Sequence, residues 1–499
     1  MVSTEALAYG ATSPRNRYDY AVVRQFTVMS LVFGLLGMVV GVYLAGELIW
    51  PDLGFDLPWL TFGRLRPVHT TLMVFGFCGN LLFAASYYVA QRTCQTRLVG
   101  GMFPASVFWG WQIILVLGLV SESLGETQAR KYAEFEWPIA LFLVLVWLVS
   151  LWVYVATLRR RKATPLYVAN WFFLACFVGM ALSYVLENLL LPVDWFGMKS
   201  YSPFSGVQSA MIQWWYGHNV ITFLMNMAFL GMMYYFLPKQ AGRPLYSYRL
   251  SVLHFWSLVF LSVWAAPNHL NWTALPDWTV TLGVTFSVML LLPSLAGVVN
   301  GLMTLSGGWV QVRTDPVLRF MAVALVFYGW ATLEGVNMSL QTFNALTHYT
   351  DWTIGHAHLA TLGWVSMMSF GVVYHLVPRL WDTKLYSVRL VEIHFWIALF
   401  AIVLHTAALE VGGILQGVRL RALDEYGNLA YSFMETDAFL TVPYGLRGVG
   451  GLLFLSGVLI MVYNLAVTIV RAQRKRAAID ARIAAKLAVK GLRAREGAP

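Results

Sequence analysis

The stretch Gly355-His356-Ala357-His358 stands at the start of a long apolar segment and decides how the fold is interpreted. Each residue of a helix turns it by about 100°, so His356 and His358 point roughly 200° apart. They therefore cannot easily ligate one metal, but each can offer a nitrogen to a different group on either side of the helix. This geometry suits a helix between two flat cofactors, for which two haems are the obvious candidates. The alternative is that one or both rings are merely hydrogen-bonded to neighbouring helices.

The composition is that of a membrane protein. Of the 499 residues, 59% are hydrophobic and only 12% are charged, whereas ordinary soluble domains carry about 25% charged residues. Twelve apolar segments are long enough, at about 20 residues each, to cross about 30 Å of hydrocarbon. We predict them near residues 27–49, 68–91, 104–124, 138–157, 167–187, 211–236, 250–268, 279–303, 317–343, 356–378, 390–414 and 446–470. The predicted fold is an all-α polytopic membrane bundle of about twelve transmembrane helices.

Loop charges predict the topology and the domain limits. Arginine and lysine are concentrated in every second loop, which places both termini in the cytoplasm. We predict a cytoplasmic N-terminal segment (1–22), a haem-binding membrane domain (23–473) and a basic cytoplasmic tail (474–499). The tail forms either a helix on the anionic inner surface or a solvated helix. The net charge of +10 does not indicate nucleic-acid binding, because the basic residues lie in short loops and in the tail.

Half of the ten histidines fall at one depth, in the predicted outer third of the membrane. They are His69, His218, His269, His356 and His358, on four separate spans. Burying imidazoles in hydrocarbon is costly unless they are paired or ligate a metal. Their clustering predicts a site with several metals or haems. The three cysteines form no CxxC or CxxCH motif, so neither a covalent haem nor a cysteine-ligated metal is indicated.

The other five histidines show no such arrangement. His254 lies early in the seventh span, towards the inner side, and is a candidate for a hydrogen-bonded proton path. For the remaining four we expect satisfied polar side chains: His348, His375, His394 and His405.

Four basic residues lie on the predicted outer side, although arginine and lysine are otherwise concentrated in the cytoplasmic loops. They are Arg64, Arg66, Arg130 and Lys131. Arg66 lies one helical turn before His69. A haem on His69 would direct its propionates towards the outer surface, where Arg66, Arg64 and Arg447 are candidates to pair with them. The alternative for Arg64 and Arg66 is an arginine that snorkels to the membrane surface.

Five stretches carry a resemblance to a known family: Arg64-Leu-Arg-Pro-Val-His69, Trp214-Trp-Tyr-Gly-His-Asn219, Gly231-Met-Met-Tyr-Tyr-Phe-Leu-Pro-Lys239, Thr273-Ala-Leu-Pro-Asp277 and His348-Tyr-Thr-Asp-Trp-Thr-Ile-Gly-His-Ala-His358. They look like the catalytic subunit of C-type (cbb3) haem–copper oxidases, and the likeness covers spans one to twelve. Tyr132-Ala-Glu-Phe-Glu-Trp-Pro138 is a further match, near the family's calcium and haem-propionate region.

Carried over residue by residue, the resemblance implies two haems and a second metal. His69 and His358 would be the axial pair of a low-spin haem b, and His356 would be the proximal ligand of a high-spin, b-type haem. His218 and His269 would hold copper or non-haem iron opposite that haem. Glu334 matches a glutamate near this binuclear centre. The family's single proton-uptake path from the cytoplasm is matched by Tyr234, Ser251 and His254.

Two positions depart from the family pattern. Ala266-Pro267-Asn268-His269 stands where the family has Gly-Pro-His-His, so an asparagine replaces one of three expected copper ligands. An amide is a poorer copper ligand than an imidazole. Ser262 stands in place of the family's cross-linked tyrosine, which supplies an electron and a proton during O–O cleavage, and a serine is too hard to oxidise for that role.

Three functions follow from these matches and departures. In the first, electrons pass from the low-spin haem to the high-spin haem and metal centre, where dioxygen is reduced to water. The second is a nitric oxide reductase-like reaction, whose enzymes dispense with the tyrosine but use a glutamate where Thr222 stands here. In the third, the distal metal is lost, and the chain is a two-haem electron-transfer, sensing or assembly subunit.

The resemblance also implies a setting. The protein would be a multi-pass component of a bacterial-type inner membrane and would act on a small gas, oxygen or nitric oxide. Because the chain has no c-type haem motif, electrons would arrive from cytochrome c-type partner subunits or from another donor.

Overall fold

Twelve long apolar helices make up most of the chain. The computed structural model describes residues 18–496, with side chains described up to residue 483. The helices are α1 (Ala21–Glu47), α2 (Phe62–Cys94), α3 (Phe103–Leu124), α4 (Trp137–Arg159), α5 (Val168–Glu187), α6 (Gly206–Ala241), α7 (Tyr248–Leu270), α8 (Asp277–Thr304), α9 (Pro316–Ser339), α10 (Asp351–Leu380), α11 (Val388–Arg421) and α12 (Thr441–Glu496). All twelve are long and apolar enough to cross a membrane. The predicted bundle of twelve transmembrane helices is confirmed.

Three helices form the centre of the bundle. The most apolar parts of α2, α6 and α10 are 94%, 89% and 89% buried, whereas that of α8 is only 28% buried. A helix that is apolar all round can lie either in the core or against lipid, so the sequence alone did not separate these cases. The three central helices are those that carry His69, His218 and the His356/His358 pair.

Each central helix contains a π-helical segment shortly after its histidine. These segments are Leu72–Gly79 in α2, Ile221–Met227 in α6 and Leu359–Ser366 in α10. The π-helix is rare and is frequently found at functional sites. Its wider turn changes the rotation of the helix after the histidine, which sequence periodicity does not reveal.

The chain contains an internal repeat at a separation of 140 residues. Leu245-Tyr-Ser-Tyr-Arg-Leu and Leu385-Tyr-Ser-Val-Arg-Leu both lead into a helix that carries His-Phe-Trp four residues later. Both copies are fixed in the same way. Asn300 exchanges two hydrogen bonds with the Ser247 backbone at 3.0 and 2.9 Å, and Asn464 does so with Ser387 at 3.1 and 2.8 Å.

Short elements join the helices. They are 3-10 turns at Pro51–Gly54 and Pro58–Leu60, helices Trp309–Thr314, Gln341–Thr347 and Phe433–Phe439, and a hairpin of β1 (Leu191–Pro192) with β2 (Ser200–Tyr201). In β1–β2, Leu191 pairs with Tyr201 and Pro192 with Ser200. The hairpin is a small addition to an otherwise helical fold.

Most helix ends lie within six residues of the predicted spans, but α11 ends at Arg421 rather than residue 414, and α12 ends at Glu496 rather than residue 470. α1 begins at Ala21 rather than residue 27, because the polar first turns are helical and Arg24 Nε donates to the Leu380 carbonyl at 2.8 Å. α12 runs without a break into the basic tail, which is helical as predicted. Its position relative to a membrane surface stays a prediction. The proposed division at 473/474 falls inside this helix, and most of segment 1–22 lies outside the described residues.

Candidate metal centre

The structure gathers the five predicted histidines into two groups. In the first, His358 lies near enough to His69 to interact with it electrostatically. In the second, His269 interacts in the same way with His218 and His356, and His218 Nδ1 lies 3.1 Å from His269 Nε2. The two groups meet at the His356/His358 pair, as the opposed directions of those side chains require.

The candidate haem ligands share one hydrogen-bonding arrangement. His69 Nδ1 is 2.8 Å from the Gly37 carbonyl, His358 Nδ1 is 2.8 Å from the Ile354 carbonyl, and His356 Nδ1 is 3.2 Å from Glu334 Oε2. Carbonyl and carboxylate oxygens only accept, so each Nδ1 carries the proton. Each Nε2 therefore keeps the lone pair that an iron ligand needs. This donor set fits axial haem ligation by all three rings.

A glycine on α1 makes room for His69. A Cβ added to Gly41 would lie 2.6 Å from His69 Cε1 and 3.0 Å from its Nδ1. The same helix supplies the Gly37 carbonyl that holds Nδ1. α1 therefore sets both the tautomer and the position of the His69 ring.

The outer arginines have different environments. Arg447, predicted to pair with a haem propionate, is partly buried, and its Nη1 lies 3.7 Å from Asp351 Oδ1. Arg64 Nη1 donates to the Ser123 carbonyl at 3.1 Å, so a helix-end carbonyl accounts for this charge. Arg130 forms a 2.6 Å ion pair with the buried Glu187, and Lys131 lies over the Trp214 ring at 5.7 Å. Three of the four outer basic residues thus have structural partners.

Arg66 faces two buried acids. It interacts electrostatically with Glu122 on α3 and with Glu134 in the loop before α4. Burial raises the pKa of the Glu134 carboxyl to about 7, although Arg66 and Lys131 oppose that change. Glu122 accepts a 2.7 Å hydrogen bond from Thr71 Oγ1. Sequence reasoning missed Glu122, although a carboxylate inside an apolar span is itself a signal of function.

A second missed carboxylate lies behind His356. Glu410 on α11 is near enough to Glu334 for a hydrogen bond between the two side chains. Its chain packs against α10, because a Cβ at Gly355 would lie 2.9 Å from Glu410 Cγ. Glu334 also accepts from the Trp330 indole at 2.5 Å.

The three residues predicted for proton uptake lie on α6 and α7. Tyr234 Oη is 2.8 Å from His254 Nδ1, and both residues are fully buried. On its other side, His254 Nε2 lies 3.4 Å from the Tyr328 hydroxyl, which donates to Ser294 at 3.2 Å. Ser251 donates to the Tyr248 carbonyl in its own helix at 2.6 Å. Sequence reasoning missed Tyr328 and Ser294, because they lie on other helices.

The distal position does not fit a copper ion held by three imidazoles. His218 and His269 are the two imidazoles present, and Trp214 stacks on His269 with ring centres 4.8 Å apart. Asn268, the buried residue that precedes His269, donates from Nδ2 to Ser287 Oγ at 2.8 Å. Ser262 donates to the Val259 carbonyl at 3.3 Å. Among the described residues, no group of three histidine, cysteine, aspartate or glutamate side chains is placed to hold a metal.

Three of the other histidines have the polar partners expected of structural residues. His375 Nδ1 bonds Gln240 Oε1 at 2.7 Å, and His394 Nδ1 bonds the Tyr374 hydroxyl at 3.1 Å. His405 Nδ1 bonds the Arg447 carbonyl at 3.0 Å. His348 stacks on Tyr349, with ring centres 4.0 Å apart.

Comparison with known proteins adds independent findings. Residues 21–453 match the family model described as "Cytochrome C and Quinol oxidase polypeptide I". The chain is 50% identical to "Cbb3-type cytochrome c oxidase subunit CcoN1" of Stutzerimonas stutzeri over 454 residues, which cover 91% of this chain and 95% of the relative. It is 49% identical to "Cytochrome c oxidase subunit 1 homolog" of Agrobacterium tumefaciens, covering 94% and 87%. A solved heme-copper terminal oxidase dimer has a similar fold, with a TM-score of 0.72, 17% identity and coverage of 90% and 84%.

Proposed function

The chain belongs to the family of cytochrome c and quinol oxidase polypeptide I, and from this we propose that it is the haem-bearing subunit of a respiratory oxidase of the cbb3 type that reduces dioxygen to water. It is a multi-pass membrane protein. We place it in a bacterial inner membrane, with cytochrome c-type subunits as its electron donors and both termini in the cytoplasm. Two bound haems, one low-spin haem b and one high-spin haem, would supply the electron-transfer and gas-reducing chemistry.

The observation that carries this proposal is the state of three histidines. His69, His356 and His358 each have Nδ1 committed to an oxygen acceptor, which leaves Nε2 available for iron. Three rings fixed in the same tautomer on two central helices are better explained by ligation than by packing. His69 and His358 would hold the low-spin haem, and His356 would hold the high-spin haem.

Residues around these rings would change the basicity of the ligands and balance the charge of the site. A carboxylate on the Nδ1–H of His356 increases the basicity of the ring, so Glu334 would strengthen the electron donation of His356 to iron. Arg447 and Arg66 would neutralise propionate charge. Glu134 and its neighbours would serve a calcium ion in the same region.

Protons for the reaction would travel through the α6–α7 pair. Tyr234, His254, Tyr328 and Ser294 form a continuous buried chain of hydrogen-bonding groups. A tyrosine hydroxyl and an imidazole can each accept one proton while giving up another. Ser251 lies one turn before His254 and would extend this chain towards the predicted cytoplasmic end.

A second candidate function is reduction of nitric oxide. Ser262 favours it, because its hydroxyl cannot replace a redox-active phenol in O–O cleavage. Thr222, one turn after His218 where a glutamate would be expected, disfavours it. We rank oxygen reduction first because the 49–50% identical relatives are named as cytochrome c oxidase subunits.

The test is haem content and turnover of the purified complex. We expect two b-type haems per chain, a split between low-spin and high-spin forms, and oxygen consumption with a reduced cytochrome donor that exceeds nitric oxide consumption. His69→Ala should abolish the low-spin α band. His394→Ala, which removes a buried histidine hydrogen-bonded to Tyr374, is the matched control and should keep the band. If the His69→Ala variant keeps all its haem, the proposal is refuted.

A further inference from the structure

Two glutamates from different helices meet beside His356. Glu334 on α9 is buried, and its Oε2 lies 3.2 Å from His356 Nδ1. Glu410 on α11 is near enough to Glu334 for a hydrogen bond between the two side chains. An ionised carboxylate can only accept hydrogen bonds, so a hydrogen bond between two carboxyl groups needs a proton on one of them. The pair therefore holds a proton.

The other contacts of the two side chains assign this proton to Glu410. Glu334 already accepts from two N–H groups, Trp330 Nε1 at 2.5 Å and His356 Nδ1 at 3.2 Å. Several donors on one carboxyl group favour its ionised form. Glu410 Oε1, in contrast, is buried and has no hydrogen-bond partner in the described part of the chain. An unpaired buried oxygen costs less on a neutral carboxyl group than on a charged one.

Close packing of α11 against α10 fixes the position of Glu410. A Cβ added to Gly355 would lie 2.9 Å from Glu410 Cγ and 3.3 Å from the Glu410 backbone nitrogen. Gly413 follows Glu410 by three residues on the same face of α11, and a Cβ there would lie 1.9 Å from the Trp352 backbone nitrogen. The Trp352 ring lies parallel to His356, with ring centres 6.1 Å apart. The backbone that carries Glu410 is thus held against the turns of α10 that carry His356.

The hydrogen bonds of Glu334 control how strongly His356 can donate electrons to a metal. A carboxylate on the Nδ1–H of a metal-bound histidine raises the basicity of the ring. A further donor on the same carboxylate stabilises its negative charge and so weakens its attraction for the Nδ1 proton. A carboxyl group of Glu410 that donates to Glu334 therefore limits the basicity of His356.

We propose that Glu410 is a positioning residue for the high-spin haem: its protonated carboxyl group donates a hydrogen bond to Glu334, holds that carboxylate on His356 and limits its negative charge towards the ring. The inference rests on the proposed function, because it takes His356 as the ligand of that haem. Glu410 acts through Glu334 rather than on the iron. Without its hydrogen bond, His356 becomes a stronger electron donor, which stabilises ferric over ferrous iron.

The experiment is a spectroelectrochemical titration of the high-spin haem in the purified complex, with haem counted per chain. Glu410→Leu should shift the equilibrium towards ferric haem about tenfold, the lower end of the effect of outer-shell partners on metal sites, which lowers the midpoint potential by about 59 mV. Glu410→Gln should keep the wild-type potential, because its amide can donate the same hydrogen bond. Thr406→Val is the matched control and should also keep it, since the Thr406 hydroxyl, one turn earlier on α11, bonds the Ile402 carbonyl of its own helix.

The direction of the shift separates this inference from its alternatives. If Glu410 is instead ionised, both Glu410→Leu and Glu410→Gln remove a negative charge and raise the potential, which would overturn the inference. An unchanged potential in Glu410→Leu would also overturn it. Infrared difference spectra of wild type and Glu410→Gln give a second readout. The variant should lose one C=O stretching band of a protonated carboxyl group, and a spectrum that keeps every such band would contradict the assigned proton.

A variant that fails to assemble does not leave the inference untested. If Glu410→Leu binds no haem, Glu410→Met, which has a side chain of similar length, takes its place, and the Glu410→Gln potential and the infrared spectra decide independently. In all these cases two haems per wild-type chain leave the proposed function standing, whereas absence of haem from the wild type would refute that function first.

Discussion

A single methyl group on α1 should remove the low-spin haem. In Gly41→Ala the new Cβ would lie 2.6 Å from His69 Cε1, whereas ordinary van der Waals contact begins at 3.4 Å. The ring must therefore move by the difference, 0.8 Å. Movement along the line of the Nδ1–Gly37 hydrogen bond would stretch it from 2.8 Å to about 3.6 Å, beyond the range of a hydrogen bond.

Two energetic costs combine in this variant. Overpacking costs about 1–3 kcal/mol, and loss of the hydrogen bond that fixes the tautomer adds about 1 kcal/mol. Together they amount to about 2–4 kcal/mol, or roughly a 30- to 700-fold lower affinity for the haem. The assay is the reduced-minus-oxidised α band per chain in purified protein. Gly63→Ala is the control, since a Cβ there has open space around it. An unchanged α band in Gly41→Ala would refute the position assigned to His69.

Three further predictions concern stability and proton transfer. Arg130→Ala should lower the free energy of unfolding by about 3–5 kcal/mol, because it leaves the buried Glu187 unpaired; a thermal unfolding temperature unchanged from wild type would contradict this. Burial raises the pKa of Glu134 to about 7, so the free energy of unfolding should be highest below the ordinary carboxyl pKa and fall by up to about 3 kcal/mol as pH rises to 7. Glu134→Gln should flatten this pH profile. An equally steep slope in the variant would exclude Glu134 as its source. Tyr234→Phe should slow turnover at least tenfold with haem spectra intact, because it removes the hydroxyl that contacts His254; wild-type turnover would exclude this proton path.

Much of the fold followed from the sequence, because a membrane imposes a simple rule on helix length and composition. The twelve spans were predicted from apolar runs, and the opposed directions of His356 and His358 follow from helix rotation alone. Arg24 shows the limit of this reasoning. Its charge made the predicted first span begin too late, although the guanidinium is satisfied by the Leu380 carbonyl across the bundle.

The parts of the site that escaped prediction depend on contacts between distant segments. Tyr328 and Ser294 extend the His254 chain from two other helices, and neither lies in a motif that marks it. The π-helical segments after His69, His218 and His358 leave no periodic signal. The 140-residue repeat was visible as Leu-Tyr-Ser-x-Arg-Leu, but it lies beyond the 20–50-residue periods by which repeats are usually recognised.

Asn268 shows how sequence and structure combine. Its replacement of a histidine was plain from Ala266-Pro267-Asn268-His269, and this made three-imidazole copper binding doubtful. The amide orientation required the position of Ser287 on α8, nineteen residues further along the chain. The hydrogen bond between them shows that the amide nitrogen is bound to α8.

The central claim is that two imidazoles from different helices hold one iron while a third holds another. The most direct measurement is low-temperature electron paramagnetic resonance of the oxidised wild-type complex, with haem quantified in the same sample. We predict one low-spin ferric signal typical of bis-histidine ligation for every two haems, lost in both His69→Ala and His358→Ala. A low-spin signal that survives either substitution, or a sample with one haem per chain, would contradict the account.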